Sequence, residues 1–93
     1  MGDRLTVVAS ALFRKDFRRC AKRGLDLGKL RATLWLLAER RTLPPAMRDH
    51  ALVGNYRGYR ECHIAPDWLL VYRVEEEQLI LVAFRTGSHS DLF

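Results

Sequence analysis

The sequence predicts an α+β fold, β-α-α-β-β-β, in which a helical hairpin packs on one face of a mainly antiparallel sheet. Two features carry that expectation. Between residues 11 and 37 apolar side chains recur at helical spacing, whereas from residue 59 onward they come in short strand-like runs separated by turn residues. Charge divides near the same place. Residues 1–47 hold 11 Lys and Arg against 4 Asp and Glu, a net +7, and residues 48–93 hold 5 against 7, a net −2.

Leu5 to Ala9 is a short β-type run, apolar enough to be buried. From Ala11 to Arg23, Phe13, Phe17 and Cys20 form an apolar stripe. Arg14, Lys15, Arg18, Arg19, Lys22 and Arg23 fill the remaining face. Gly24 is a helix stop and Asp26 an N-cap for the next helix, where Leu27, Leu30, Leu34 and Leu37 fall on one stripe. Pro44-Pro45 ends it. After a loop carrying His50, Tyr59–Ile64, Trp68–Val74 and Leu79–Arg85 read as strands. Ala65-Pro66 turns the first into the second, and the solvated run Glu75–Glu77 turns the second into the third. Ninety-three residues suffice for one domain, spanning 1–93, and for one modest core.

No apolar run approaches the ~20 residues of a membrane helix, and no signal-peptide core is evident, so a cytoplasmic protein without membrane contact is expected. Met1-Gly2 with Thr6 fits a loose N-myristoylation pattern, but the strand reading of residues 5–9 outweighs it. Cys20 and Cys62 lack metal-type spacing and read as reduced thiols. The basic half suits a phosphate backbone or an acidic protein partner.

The chemistry concentrates toward the C-terminus. All three histidines, His50, His63 and His89, lie there with Asp67, Arg85 and Phe93. A tight hairpin at Ala65-Pro66 sets His63 and Asp67 on neighbouring strands, where facing Cβ atoms lie ~5 Å apart. The third strand then finishes beside Asp67 and delivers His89. RNA is cut without metal when its own 2′-OH attacks the adjacent phosphate, given a base, an acid and donors on the phosphoryl oxygens. Imidazole titrates near ~6.5 and serves either proton role. Arg85 offers a forked phosphate donor, and Phe93 or Trp68 a surface for stacking a base. Taken singly, each residue has an ordinary explanation: Trp68 as core, Arg85 as an ion-pair partner, Asp67 as a turn residue. A bound metal or other cofactor is not expected, because the histidines lack H-x-x-x-H spacing and Cys62 and His63 point to opposite faces of a strand.

In order along the chain, several segments resemble the YafQ branch of the RelE superfamily of bacterial toxins. They are Lys29-Leu30, Thr42-Leu43-Pro44, Asp49-His50-Ala51-Leu52, Tyr56-Arg57-Gly58-Tyr59-Arg60-Glu61-Cys62-His63, Pro66-Asp67-Trp68-Leu69-Leu70-Val71-Tyr72-Arg73, Phe84-Arg85-Thr86-Gly87-Ser88-His89 and Leu92-Phe93. The resemblance implies a RelE-like fold and a ribosome-dependent, metal-independent endoribonuclease that cuts translated mRNA and is neutralised by a cognate antitoxin. By motif it implies catalytic roles for His50, His63, Asp67 and His89, with Asp67 and His89 leading as base and acid and Phe93 placing a nucleotide. The alternatives are a ParE-like toxin acting on gyrase and a non-catalytic basic RNA- or protein-binding module.

Overall fold

Ser10 starts the first helix, α1 (Ala11–Lys22), by accepting a hydrogen bond from the Phe13 amide at 2.9 Å. The same hydroxyl donates to the Phe84 carbonyl at 2.7 Å and so ties the helix start to the sheet. Asp26 caps α2 (Leu27–Ala38), accepting from the Gly28 amide at 3.0 Å. Both caps are at the positions their side chains favour. In this computed structural model, which describes residues 3–93, α1 buries Phe13, Asp16 and Cys20, and α2 buries Leu30, Thr33 and Leu37. Met1 and Gly2, on which the myristoylation pattern depends, lie outside the described residues.

α2 stops well before Pro44-Pro45, contrary to the expectation. Arg40 takes a left-handed conformation (φ 60°), its amide donates to the Leu37 carbonyl, and the Arg41 amide donates to the Leu36 carbonyl, both at 3.0 Å. This pair of bonds closes the helix as a Schellman turn without the usual glycine. The prolines instead introduce a single 3₁₀ turn over Pro45–Met47.

The sheet has five strands: β1 (Thr6–Ala9), β2 (His50–Ala51), β3 (Arg60–Ala65), β4 (Trp68–Glu75) and β5 (Ile80–Gly87). Their spatial order is β1-β5-β4-β3-β2, antiparallel except for the parallel β1–β5 pair. A one-turn helix, α3 (His89–Leu92), follows β5. The β-α-α-β-β-β expectation therefore stands, with β2 and α3 added. β1 is an edge strand, so Thr6, Val7 and Val8 are exposed and only the preceding Leu5 is buried, against the expectation of a buried strand. β4 is the central strand, with Trp68 through Tyr72 buried without interruption, because both faces of the sheet are covered there.

One face packs Cys62, Trp68, Leu70, Tyr72, Leu81 and Ala83 beneath the helices. The other gathers Leu69 and Val71 with Leu52, Tyr56, Tyr59, Phe84 and Leu92. No helix among the described residues is long and apolar enough to cross a membrane.

Candidate active site

The face of the sheet opposite α1 and α2 carries the titratable side chains, and strand alternation puts them there. Glu61 pairs in register with Val71, and His63 with Leu69, both on the side away from α1 and α2. The intervening Cys62 points into the core under the helices, where burial pushes its thiol up to about 12. A neutral, buried thiol is no nucleophile here.

The β3–β4 turn consists of Pro66 and Asp67, flanked by the Ala65–Trp68 pair. It lies one residue later than the expected Ala65-Pro66 turn. Asp67 consequently sits in the turn itself rather than opposite His63, and among the described residues no hydrogen bond joins those two side chains. Asp67 turns instead to His89. Its Oδ1 accepts from the His89 backbone amide at 3.3 Å and lies 3.2 Å from the ring Nδ1. The His89 ring contact above all, and its amide next, hold the Asp67 carboxyl below the ordinary aspartate value. The His63 and His89 rings lie 5.9 Å apart between centroids. The topological expectation of His63, Asp67 and His89 at one end of the sheet is thus met, through a different set of contacts.

His50 joins them because β2 pairs with β3, setting His50 opposite Glu61. Its Nδ1 lies 2.6 Å from the Arg48 carbonyl and so carries a proton, leaving Nε2 facing Glu61 Oε1 at 3.5 Å. His63 Nε2 approaches the same oxygen at 3.9 Å. Glu61 is therefore a buried carboxylate, 5% exposed, set between two imidazoles. The sequence reading passed over it. The signal was present in the alternation Glu61, His63 beside a histidine-bearing loop, but nothing in a sequence marks a glutamate as buried. Glu61, His63 and His89 also place one donor atom each within 4.8 Å of one another. That is a carboxylate and imidazole set that suits zinc or copper chemically, so the spacing argument against a metal does not extend to the folded chain.

Three expectations change. Trp68 is 4% exposed, and its Nε1–H donates to the Thr86 hydroxyl at 2.9 Å beneath the helices. A ring so buried offers no face to a base. Arg85 is committed to the buried Asp16, with Nε and Nη2 donating to its two oxygens at 2.7 and 3.1 Å. Arg19 and Arg23 of the basic helix are likewise occupied, Arg19 by Asp16 at 2.8 Å and Arg23 by Asp91 at 2.6 Å. The cationic face that remains consists of Arg14, Lys15, Arg18 and Lys22, which have no acidic partner among the described residues. Phe93 keeps its expected availability: it is 59% exposed and stands edge-on to Tyr56 at 5.0 Å, next to the stacked Tyr59 and Phe84 rings.

Such a cluster of imidazoles and carboxylates can move protons at neutral pH, and known proteins share the chain's pattern. The family model describing the bacterial toxin of type II toxin–antitoxin systems, YafQ, matches residues 5–93. The chain is similar to the mRNA interferase toxin YafQ of Escherichia coli K12, with 38% identity over 85 residues that cover 90% of each. It is similar to a chain of the E. coli DinJ-YafQ toxin–antitoxin complex, with a TM-score of 0.87 and 35% identity over 97% of this chain and 98% of that one. It is also similar to a metal-bound toxin from Helicobacter pylori, with a TM-score of 0.90 and 42% identity over 96% and 99%.

Proposed function

The chain belongs to the YafQ family of type II toxins, and on that premise we propose that it is a ribosome-dependent endoribonuclease that cuts translated mRNA by attack of the RNA's own 2′-OH. The observation that supports this best is the convergence of His50, Glu61, His63, Asp67 and His89 on the sheet face opposite α1 and α2. Its partners are the ribosome with its mRNA and a cognate antitoxin, and its place of work is the cytoplasm, where translation occurs.

In the proposed reaction the 2′-oxygen bonds to phosphorus as the P–O5′ bond breaks. One group takes the 2′-OH proton and another gives a proton to the departing 5′-oxygen. Asp67 holds His89 Nδ1, leaving Nε2 to face solvent and substrate, so His89 is the acid and Asp67 fixes its tautomer. His50 Nε2 is the open acceptor for the 2′-OH proton, and Glu61 lies where the resulting imidazolium charge is met. His63 is placed against the phosphoryl group between them, and Phe93 supplies an exposed ring for a flanking base. A metal held by Glu61, His63 and His89 would polarise phosphoryl oxygens. The proton route proposed here uses the imidazoles themselves.

Two measurements test this reading. Single-turnover cleavage of mRNA on programmed ribosomes in magnesium buffer should proceed unchanged with protein first stripped by a chelator selective for zinc and copper, and leave a 2′,3′-cyclic phosphate and a 5′-hydroxyl. Activity lost on stripping the protein and restored by zinc would replace the metal-free route. Neutralising Arg14, Lys15, Arg18 and Lys22 together should weaken ribosome or antitoxin binding and flatten its salt dependence, with little effect on the cleavage step at saturation. Binding that is unaltered at every salt concentration would leave those cations as a solvated face.

A further inference from the structure

We propose that Asp91 is a positioning residue, clamped by Arg19 of α1 and by Arg23 at its C-cap, that fixes the His89 imidazole for proton transfer. The proposal rests on the ribonuclease reading above. His89 has little to hold it directly. It and Asp67 are both exposed, and a solvent-exposed pair of this kind fixes geometry weakly. The imidazole is therefore placed mainly by α3, which carries it. That helix has only four residues and is too short to persist alone.

What holds α3 is Asp91. Its Oδ2 accepts from the Ser88 amide at 2.9 Å while the Ser88 hydroxyl accepts from the Asp91 amide at 3.2 Å, a complete capping box. Arg23 grips both carboxylate oxygens, Nη1 to Oδ2 at 2.6 Å and Nη2 to Oδ1 at 3.1 Å. Arg19 Nη1 adds a contact to Oδ1 at 3.2 Å, while its Nη2 donates to the buried Asp16. The carboxylate lies directly against the backbone of Gly87 (φ +155°), where a Cβ would come within 2.8 Å of Oδ2. The Arg23 guanidinium and the Ser88 amide hold the Asp91 carboxyl well below the ordinary carboxylate range, so the clamp is charged throughout neutral pH. On the far side, Leu92 is buried and its carbonyl accepts from the Tyr56 hydroxyl at 3.2 Å. The last turn of α1 and its C-cap residue thus meet the tail that carries His89 through one carboxylate.

A displacement of ~1 Å in a reacting group costs up to ~10²-fold in rate. Asp91→Ala should therefore lower the single-turnover rate at saturating programmed ribosomes by ~10- to 100-fold, with half-saturation moving less than about twofold. Asp91→Asn, which keeps an acceptor for the Ser88 amide but loses the charge, should fall between. In a His89→Gln background, Asp91→Ala should cost nothing further, since the group it positions is gone. Independently of activity, the His89 ring resonances in NMR spectra should lose their Asp67-bonded shifts in Asp91→Ala. The proposal is overturned by wild-type rates in folded Asp91→Ala, by an equal further loss in the His89→Gln background, or by unchanged His89 resonances. Wild-type protein that leaves ribosome-bound mRNA intact would instead remove the ribonuclease reading, and the NMR comparison would still decide the clamp.

Discussion

His89→Gln is expected to slow single-turnover cleavage of ribosome-bound mRNA by ~10²–10⁴-fold while the protein melts and binds its antitoxin as the wild type does. The rate expectation follows from removing the group proposed to protonate the leaving 5′-oxygen. Stability is spared because His89 is exposed and its one side-chain partner, Asp67, is exposed as well. Asp67→Asn should lower the rate less steeply. An amide can still meet Nδ1–H through its oxygen, but it does not balance the charge of the protonated ring. Glu61→Gln belongs in the same series, because the carboxylate faces both His50 and His63. Cells carrying the folded His89→Gln variant should grow. Wild-type rates in folded His89→Gln and Asp67→Asn proteins would sink the catalytic assignment.

The convergence of His63, Asp67 and His89 was legible because hairpin geometry constrains it. Two antiparallel strands joined by a tight turn must bring residues near that turn together, and a third antiparallel strand must end beside them. The details depended on quantities a sequence does not display. A turn one residue later moved Asp67 from His63 to His89. β2 has two residues, too few for any period to register, yet it alone carries His50 to Glu61. α3 is short too, with four residues, although Ser88-x-x-Asp91 before Leu92 has the pattern of a capping box and could have revealed it. Arg85 went astray for another reason. Arg85 follows Leu81 and Ala83 on the side of β5 that faces the helices, and there it reaches Asp16 of α1. No local pattern announced that Asp16, one charge amid a basic helix, would be buried to receive it.

Asp16 is where the largest loss of stability is expected. It is 1% exposed and accepts four hydrogen bonds: from Arg85 Nε at 2.7 Å and Nη2 at 3.1 Å, from the Thr86 amide at 3.1 Å, and from Arg19 at 2.8 Å. A charge so buried contributes modestly as a pair, but removing one partner strands the rest. Asp16→Ala leaves the largely buried Arg85 fork and the buried Thr86 amide without an acceptor. The expected cost is ~3–5 kcal/mol, against a total stability of ~5–15 kcal/mol for a domain of this size. In thermal melting that corresponds to a fall of roughly 12–40 °C. Arg85→Ala should cost less, because Asp16 would keep the Thr86 amide and Arg19 as donors. The order matters for function too. If Arg85 acted on phosphate, Arg85→Ala would reduce the rate far beyond its effect on melting, whereas a structural arginine would lower both in step. An Asp16→Ala protein melting within a few degrees of the wild type would show that this buried cluster does not hold α1 to the strand that leads into α3.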